Sequence, residues 1–423
     1  MHKKGGETGH ESRTGFTLAS TPPQATRRRE TTMSNSGEKA FEFRVPQTIH
    51  VGVGCYERAA SEAARIGGGA VLVVTDANVR ATPLAEKVIE QLTSAGLLRG
   101  VFSDIPGEPT TTEVEKGLAA LKAAQANTVV AVGGGSVIDT AKAVATMATN
   151  DGTIVDYKGA NKIRKPKLPL VVANTTAGTG SEVTRFVIIT DPVTNVKLLI
   201  ADPHLIPDVA IDDPLLTVTC PPLVTASTGV DALTHAIESY LSVRATALSD
   251  VLALSAIHKV GRSLRAAYRN GEDLTARTLM HVASLEAGMS FSNASVALVH
   301  GMARPLGAYF HKAHGITNAV LLPHVMEWTL PGAPGRFAEI ARAFGVNVGG
   351  LSEAAVAERA VTEVRALCRD LDIPGLTGLG IDPGKLMALA PTMAQDALDS
   401  GSPGNNPRVP TAAEIVELYR RAL

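Results

Sequence analysis

From about Val51 to Asp213, short β-branched runs alternate with stretches whose apolar positions recur at helical spacing. The runs AVLVVTD at 70–76, TVVAVG at 128–133, LPLVVANTT at 168–176 and DVAIDD at 208–213 read as strands. Such alternation implies βαβ units around a parallel sheet. RFVIITD and KLLIAD, joined by Pro192-Val193-Thr194-Asn195, read instead as a β-hairpin inserted into that domain. After Cys220-Pro221-Pro222 the strand signal ends. From there to Leu423 alanine and leucine recur at helical spacing, punctuated by glycine and proline, which predicts an all-helical second domain. The expected division is therefore an extension over 1–40, an α/β domain over 41–220 and a helical domain over 221–423. The cleft between the two domains is the natural active site.

Composition narrows the function. The 423 residues are 45% hydrophobic, enough for two cores of ordinary size, and the formal charge is only -1. No long single-sign run marks a surface for nucleic acid or for anionic membrane, so small-molecule chemistry is the default. No apolar stretch approaches the ~20 residues that cross a bilayer. Cys55, Cys220 and Cys368 lack CxxC spacing, which argues against a disulfide framework and a thiolate zinc site and favours a reducing cytosol. The first forty residues, rich in Gly, Ser, Thr and Arg, show no hydrophobic periodicity and are expected to be disordered. Glu7, Glu11 and Glu30 speak against a transit peptide, and Met33 is a plausible start.

The strand ending at Val132 runs into Gly133-Gly134-Gly135-Ser136, followed by the helical sequence VIDTAKAVA. Glycines at a strand-to-helix turn let backbone N–H groups approach a pyrophosphate, and the helix N-terminus stabilises its charge. A tight turn and nothing more is the alternative. Asp139 and Lys142 share a helical face, placed to pair with each other or to reach a ligand. A second polar loop, Asn174-Thr175-Thr176-Ala177-Gly178-Thr179-Gly180-Ser181-Glu182, is suited to phosphate and ribose, or to simple capping. Asp76, at the end of VLVVTD, sits where a carboxylate bonds a ribose 2′-OH and repels a 2′-phosphate, favouring NAD over NADP; a turn aspartate is the plainer reading.

In STGVDALTHAIESYL, Asp231 and His235 lie one helical turn apart and can share an ion. His300 and His314 come from VHGMARPLGAYFHKAHG, where Pro305 and the flanking glycines should end one helix before another begins near Gly315. One carboxylate and three imidazoles suit Fe²⁺, Zn²⁺ or Mn²⁺. Each histidine alone reads more readily as structural; the joint pattern carries the metal reading.

GGGSVIDTAKAVA, NTTAGTGSEVT, STGVDALTHAIESY and GMARPLGAYFHKAHGITNAVLLP together resemble the signature stretches of the iron-containing, or group III, alcohol dehydrogenases, over roughly Phe41 to Leu423 and including GNNPR at 404–408. The resemblance implies a dinucleotide-binding α/β domain and a helical metal-binding domain, as in dehydroquinate synthase-like folds. It implies NAD as cofactor, a small alcohol or aldehyde as substrate, and an oligomer of two or more chains. It carries the metal ligands onto Asp231, His235, His300 and His314, and the cofactor contacts onto Asp76, Gly134, Gly135, Ser136, Asp139, Thr175, Thr176, Thr179 and Lys197. Members such as lactaldehyde reductases have histidine where this chain has Arg304, and arginine is no general base at neutral pH. His311 is the substitute candidate for proton relay, with Lys197 and Arg304 the other catalytic candidates. Phe186 and Phe291 are expected to line the substrate pocket with Arg304, which, like Arg185, is suited to greet an anionic tail such as carboxylate or phosphonate, or simply to face cofactor phosphate or solvent. A non-redox enzyme on the same scaffold, using NAD and metal transiently, is the rival reading.

Overall fold

The computed structural model describes residues 40–194 and 196–423; the expectations for the extension over 1–40 and for Met33 fall, but for residue 40, outside them. Six strands, β1 Thr48–Val51, β2 Val71–Val74, β3 Leu98–Phe102, β4 Thr128–Gly133, β6 Leu170–Asn174 and β9 Val209–Asp212, form one parallel sheet in the order β1-β9-β6-β4-β2-β3. A second sheet is built from β5 Gly159–Ala160, β7 Phe186–Asp191 and β8 Val196–Ala201, in which β7 and β8 pair antiparallel as the hairpin pattern predicts. The four strands legible in the sequence are the four central ones. The two that were not, β1 and β3, are the edges, where Thr48, His50, Arg99 and Gly100 dilute the apolar signal and most positions are only half-buried.

Helices cover both faces of the sheet. In β2, Leu72 and Val74 face one core with Val114, Leu121, Val137 and Ile138 of the helices on one side, while Val71 and Val73 face another with Ala59, Ala63, Val88 and Leu92 of the helices on the other. These helices are α1 Ala59–Gly67, α2 Ala77–Arg80, α3 Pro83–Ser94, α4 Thr111–Ala123 and α5 Gly135–Met147. The chain steps outward from β2 to β3, then returns to β4 on the other side of β2. This reversal opens a crevice at the carboxyl ends of β2 and β4, where open α/β sheets bind ligands.

From Pro222 onward every regular element is helical: α6 Pro222–Leu241, α7 Ala247–Arg269, α8 Leu274–Ala294, α9 Leu298–Phe310, α10 His314–Thr329, α11 Pro334–Phe344, α12 Glu353–Asp370, α13 Pro383–Asp399 and α14 Ala412–Arg421. α6 is buried along nearly its whole length and is the central rod of this bundle. One expectation needs correction: Pro305 does not end a helix. α9 runs through it to Phe310 and stops at His311, whose φ of 52° is left-handed. An interior proline costs about 3 kcal/mol, and burial of Leu298, Val299, Met302, Ala303 and Leu306 around it offsets that cost. None of the helices in the described residues is long and apolar enough to cross a membrane. The three cysteines are unpaired.

Candidate active site

At the crevice, β4 ends at Gly133 and α5 begins at Gly135, so Gly135 and Ser136 of the first helical turn line a cavity beside the loop that follows β6. None of these glycines has positive φ; they are required for close approach instead. A Cβ on Gly134 would lie 2.9 Å from Thr176 Cγ2, and one on Gly135 would lie 2.8 Å from Thr179 Cγ2. The two polar loops thus form one cradle. Thr175 N bonds the Gly133 carbonyl, Thr176 N bonds Asn174 Oδ1, and Thr179 Oγ1 accepts from Ser181 N. Asp76 stands at the carboxyl end of β2, on the other lip; its Oδ1 accepts from the N–H groups of Asn78 and Val79, capping α2, and its Oδ2 has no such bond.

Asp139 and Lys142 neither pair with each other by a hydrogen bond nor line a phosphate site together. Asp139 accepts from Ser181 Oγ at 2.6 Å and from Ile188 N at 2.8 Å. Lys142 is fully buried, and its Nζ donates to Ser181 Oγ, Thr184 Oγ1 and the carbonyls of Thr184 and Phe186. Burial pushes its pKa down to about 8, against the raising influence of Asp139 and Glu182. The two side chains fasten α5 to β7, which begins at Phe186 directly after Arg185.

The four expected metal ligands converge. Asp231 and His235 project from one face of α6, His300 from the first turn of α9, and His314 is the first residue of α10. Their ligand atoms all lie within 4.8 Å of one another. His300 Nε2 is 2.9 Å from His235 Nε2 and 3.7 Å from Asp231 Oδ1, and His314 Nε2 is 3.9 Å from Asp231 Oδ1. Burial holds all three imidazoles well below their ordinary pKa, with Arg304 and the neighbouring imidazoles adding to the effect, while burial raises Asp231 to about 7. The positive ends of α9 and α10 likewise disfavour protonation of His300 and His314. Neutral imidazoles presenting lone pairs to a shared point are what a divalent ion requires.

Two further residues complete the centre. Glu238, one turn beyond His235, accepts from the N–H of Val299 and from His300 Nδ1. It supplies the N-terminal cap of α9 that Ala297 cannot. It also fixes the His300 tautomer, leaving the Nε2 lone pair for the ion. Asn318, one turn beyond His314, places Nδ2 2.6 Å from Asp231 Oδ1 and 3.1 Å from the Nε2 atoms of His300 and His314. Its Oδ1 is buried without a partner. The pattern of ligands did not single out either residue; the available signal was helical spacing, three residues after His235 and four after His314.

A cavity of about 480 Å³ joins this centre to the cradle, lined by Gly135, Ser136, Thr179, His235, His300 and His314 among others. Phe186 and Phe291 stack with centroids 5.9 Å apart, and Phe291 stacks on His235 at 4.1 Å. Lys197 reaches the cavity from β8 and pairs with Glu108 at 2.7 Å. Arg304 also lines it, donating to Ser402 Oγ at 2.8 Å. His311 does not: it is exposed, closes α9, and is not among the cavity residues, so the relay role expected of it has no geometric basis.

A parallel α/β half with a glycine cradle, joined to a helical half with an Asp-His-His-His cluster, is the architecture of a metal- and dinucleotide-dependent enzyme. Residues 46–214 match the family model for iron-containing alcohol dehydrogenase, and residues 225–423 match the C-terminal model of the same family. The chain is 39% identical to the 1,3-propanediol dehydrogenase of Klebsiella pneumoniae over 387 residues, 91% of this chain and 99% of the relative. A crystal structure of 1,3-propanediol oxidoreductase superposes with a TM-score of 0.88 at 38% identity, covering 91% of this chain and 100% of the other. The sulfoacetaldehyde reductase of Bifidobacterium kashiwanohense, solved with NAD+, gives a TM-score of 0.81 at 28% identity, covering 91% of this chain and 99% of the other. The chain belongs to the iron-containing alcohol dehydrogenase family and is an oxidoreductase of the alcohol dehydrogenase and aldehyde reductase type.

Proposed function

We propose that this enzyme interconverts a small aldehyde and its alcohol with NAD(H), at a divalent ion held by Asp231, His235, His300 and His314. The observation that carries the reading is the placement of that cluster in the same cavity as the Gly135–Ser136 turn. When bound, the ion supplies Lewis-acid polarisation of the substrate oxygen and the nicotinamide supplies or accepts the hydride.

The chain's own groups do the rest. The turn over Gly134, Gly135 and Ser136 with Thr175, Thr176 and Thr179 holds the pyrophosphate, and Asp76 binds the adenosine ribose, which favours NAD over NADP. Phe186 and Phe291 wall off water and present an apolar face to a short carbon chain. Lys197 and Arg304 stabilise developing negative charge at the cavity wall, and proton exchange passes through water at the cavity mouth, with no histidine beyond the ligands lining it. Fe²⁺ is the ion the family points to, and Zn²⁺ or Mn²⁺ suits the same donors. The cationic wall favours substrates with a carboxylate, sulfonate or phosphonate tail. The domain division near residue 220, a cytosolic location and a homo-oligomer of at least two chains complete the reading; three unpaired cysteines fit a reducing compartment.

The test is His235→Ala and His300→Ala, assayed for bound metal and for aldehyde-dependent NADH oxidation. Both should lose the ion and most turnover while keeping their helical content. Wild-type activity in both, without metal, refutes the assignment. A metal-loaded enzyme that binds NAD yet never changes NADH absorbance with any aldehyde would favour the non-redox alternative.

A further inference from the structure

Several half-buried arginines of this chain have an acidic partner, as Arg336 has Asp250 and Arg408 has Glu414. Three that line the active-site cavity have no ion pair among the described residues: Arg304, which donates to Ser402, and two others. Arg185, just before β7, and Arg244, three residues beyond α6, have no side-chain hydrogen bond and no ion pair among the described residues. Arg185 Nε is buried and unpaired. Its charge is disfavoured first by burial, then by Arg244, then by Arg44; the one acid acting in the other direction, Asp202, is committed to the N–H groups of Ile163 and His204. Arg185 is half-buried and Arg244 exposed at the same cavity, so the Arg185 guanidinium is partly desolvated beside a like charge with no acid of its own. An anion bound between them would offset both charges.

The position of the pair says which anion. Arg185 Cζ lies 5.6 Å from the Phe186 ring, Phe186 stacks on Phe291, and Phe291 stacks on the metal ligand His235. The guanidinium is thus joined to the ion site by a run of aromatic faces suited to a short aliphatic chain. The pyrophosphate cradle belongs to the α5 turn, which contains no arginine. Beside Arg244, Asn405 accepts from Val243 N and donates through Nδ2 to Ser295 Oγ and the Val296 carbonyl, leaving the Ser295 hydroxyl hydrogen for a ligand. Ser295 is held at φ 71°, ψ 162°, a region that non-glycine residues rarely adopt and that is retained chiefly at binding sites.

We propose that Arg185 and Arg244, with Ser295 of the same cavity, form the receptor for a tail anion, and that the preferred substrate is a short aldehyde bearing a terminal carboxylate, sulfonate or phosphonate. This deepens the dehydrogenase reading and rests on it. Paired guanidinium groups match the flat or trigonal oxygens of these anions by bidentate hydrogen bonds. The three tails share that chemistry, and the assay separates them.

The experiment uses the metal-loaded full chain with NADH. Succinic semialdehyde, sulfoacetaldehyde and phosphonoacetaldehyde are compared with butanal, and succinate, which cannot be reduced here, is titrated calorimetrically. Wild type should favour at least one anionic aldehyde over butanal in kcat/KM, with the preference falling as salt rises. In Arg185→Met and Arg244→Met that preference should fall about 10- to 100-fold, chiefly through KM, with Arg244→Lys recovering part of it, and succinate binding should disappear. Calorimetry on wild type stands even if a variant fails to fold. Equal kcat/KM for charged and uncharged aldehydes in wild type, or variants that raise the KM for NADH and leave the preference untouched, overturns the receptor but leaves the dehydrogenase standing. No NADH oxidation with any aldehyde overturns both.

Discussion

Glu238 Oε2 lies 2.6 Å from His300 Nδ1, while the other oxygen of the same carboxylate closes the start of α9. One side chain therefore orients a ligand and anchors the helix that carries it. Glu238→Ala should weaken metal affinity about 10- to 100-fold, with Glu238→Gln intermediate because its carbonyl can still accept the Nδ1 proton. Competition against a chelator measures this; an unchanged dissociation constant in the alanine variant would contradict the role.

Gly135→Ala should weaken NADH binding tenfold or more, on the order of 1.4 kcal/mol, because its Cβ meets Thr179 Cγ2 at 2.8 Å. Adding Thr179→Ser deletes that methyl and keeps the oxygen that accepts from Ser181 N. The double variant should recover part of the loss in a fluorescence titration of NADH; additive losses would place the fault elsewhere.

Asp76→Asn keeps an oxygen able to cap α2 but removes the charge at the adenosine end of the crevice. The ratio of kcat/KM for NADH over NADPH should drop about tenfold, the size of one lost charge-assisted bond plus relief of repulsion. If the ratio stays where it was, the ribose is held by something else.

Lys142 has its folded pKa pushed down to about 8 from an ordinary 10.5. Between those values the unfolded chain holds a proton that the folded chain has released, so this residue's contribution to stability rises with pH across that window. The gap in thermal midpoint between wild type and Lys142→Met should widen from pH 8 to pH 10. A gap that narrows would mean that the charged form is the one the fold favours.

The convergence of Asp231, His235, His300 and His314 was legible because helical spacing is a strict rule: Asp231 and His235 had to share a face, and His300 and His314 flank a segment with clear breakers. Pro305 misled for a related reason, since its local rule is strong but the buried faces of α9 are stronger. The central strands declared themselves through runs of Val and Ile, whereas the edge strands did not. The destinations of Asp139 and Lys142 were hidden, because their partners come from residues 181–188 and no periodicity within α5 reports a contact made some forty residues away. Arg244 was invisible for the same reason. A basic residue after a helix is ordinary until the fold brings a second one to face it.

The brace that Asp139 and Lys142 make between α5 and β7 has an evolutionary corollary. The turn proposed to hold the dinucleotide and β7, which begins with Phe186 directly after Arg185, are one mechanical piece. Drift in this lineage toward a different aldehyde through that strand would disturb the grip on the dinucleotide as well, so new specificities should arise more readily from the opposite wall, where Arg244, Ser295 and Asn405 sit on helical connections free of that linkage.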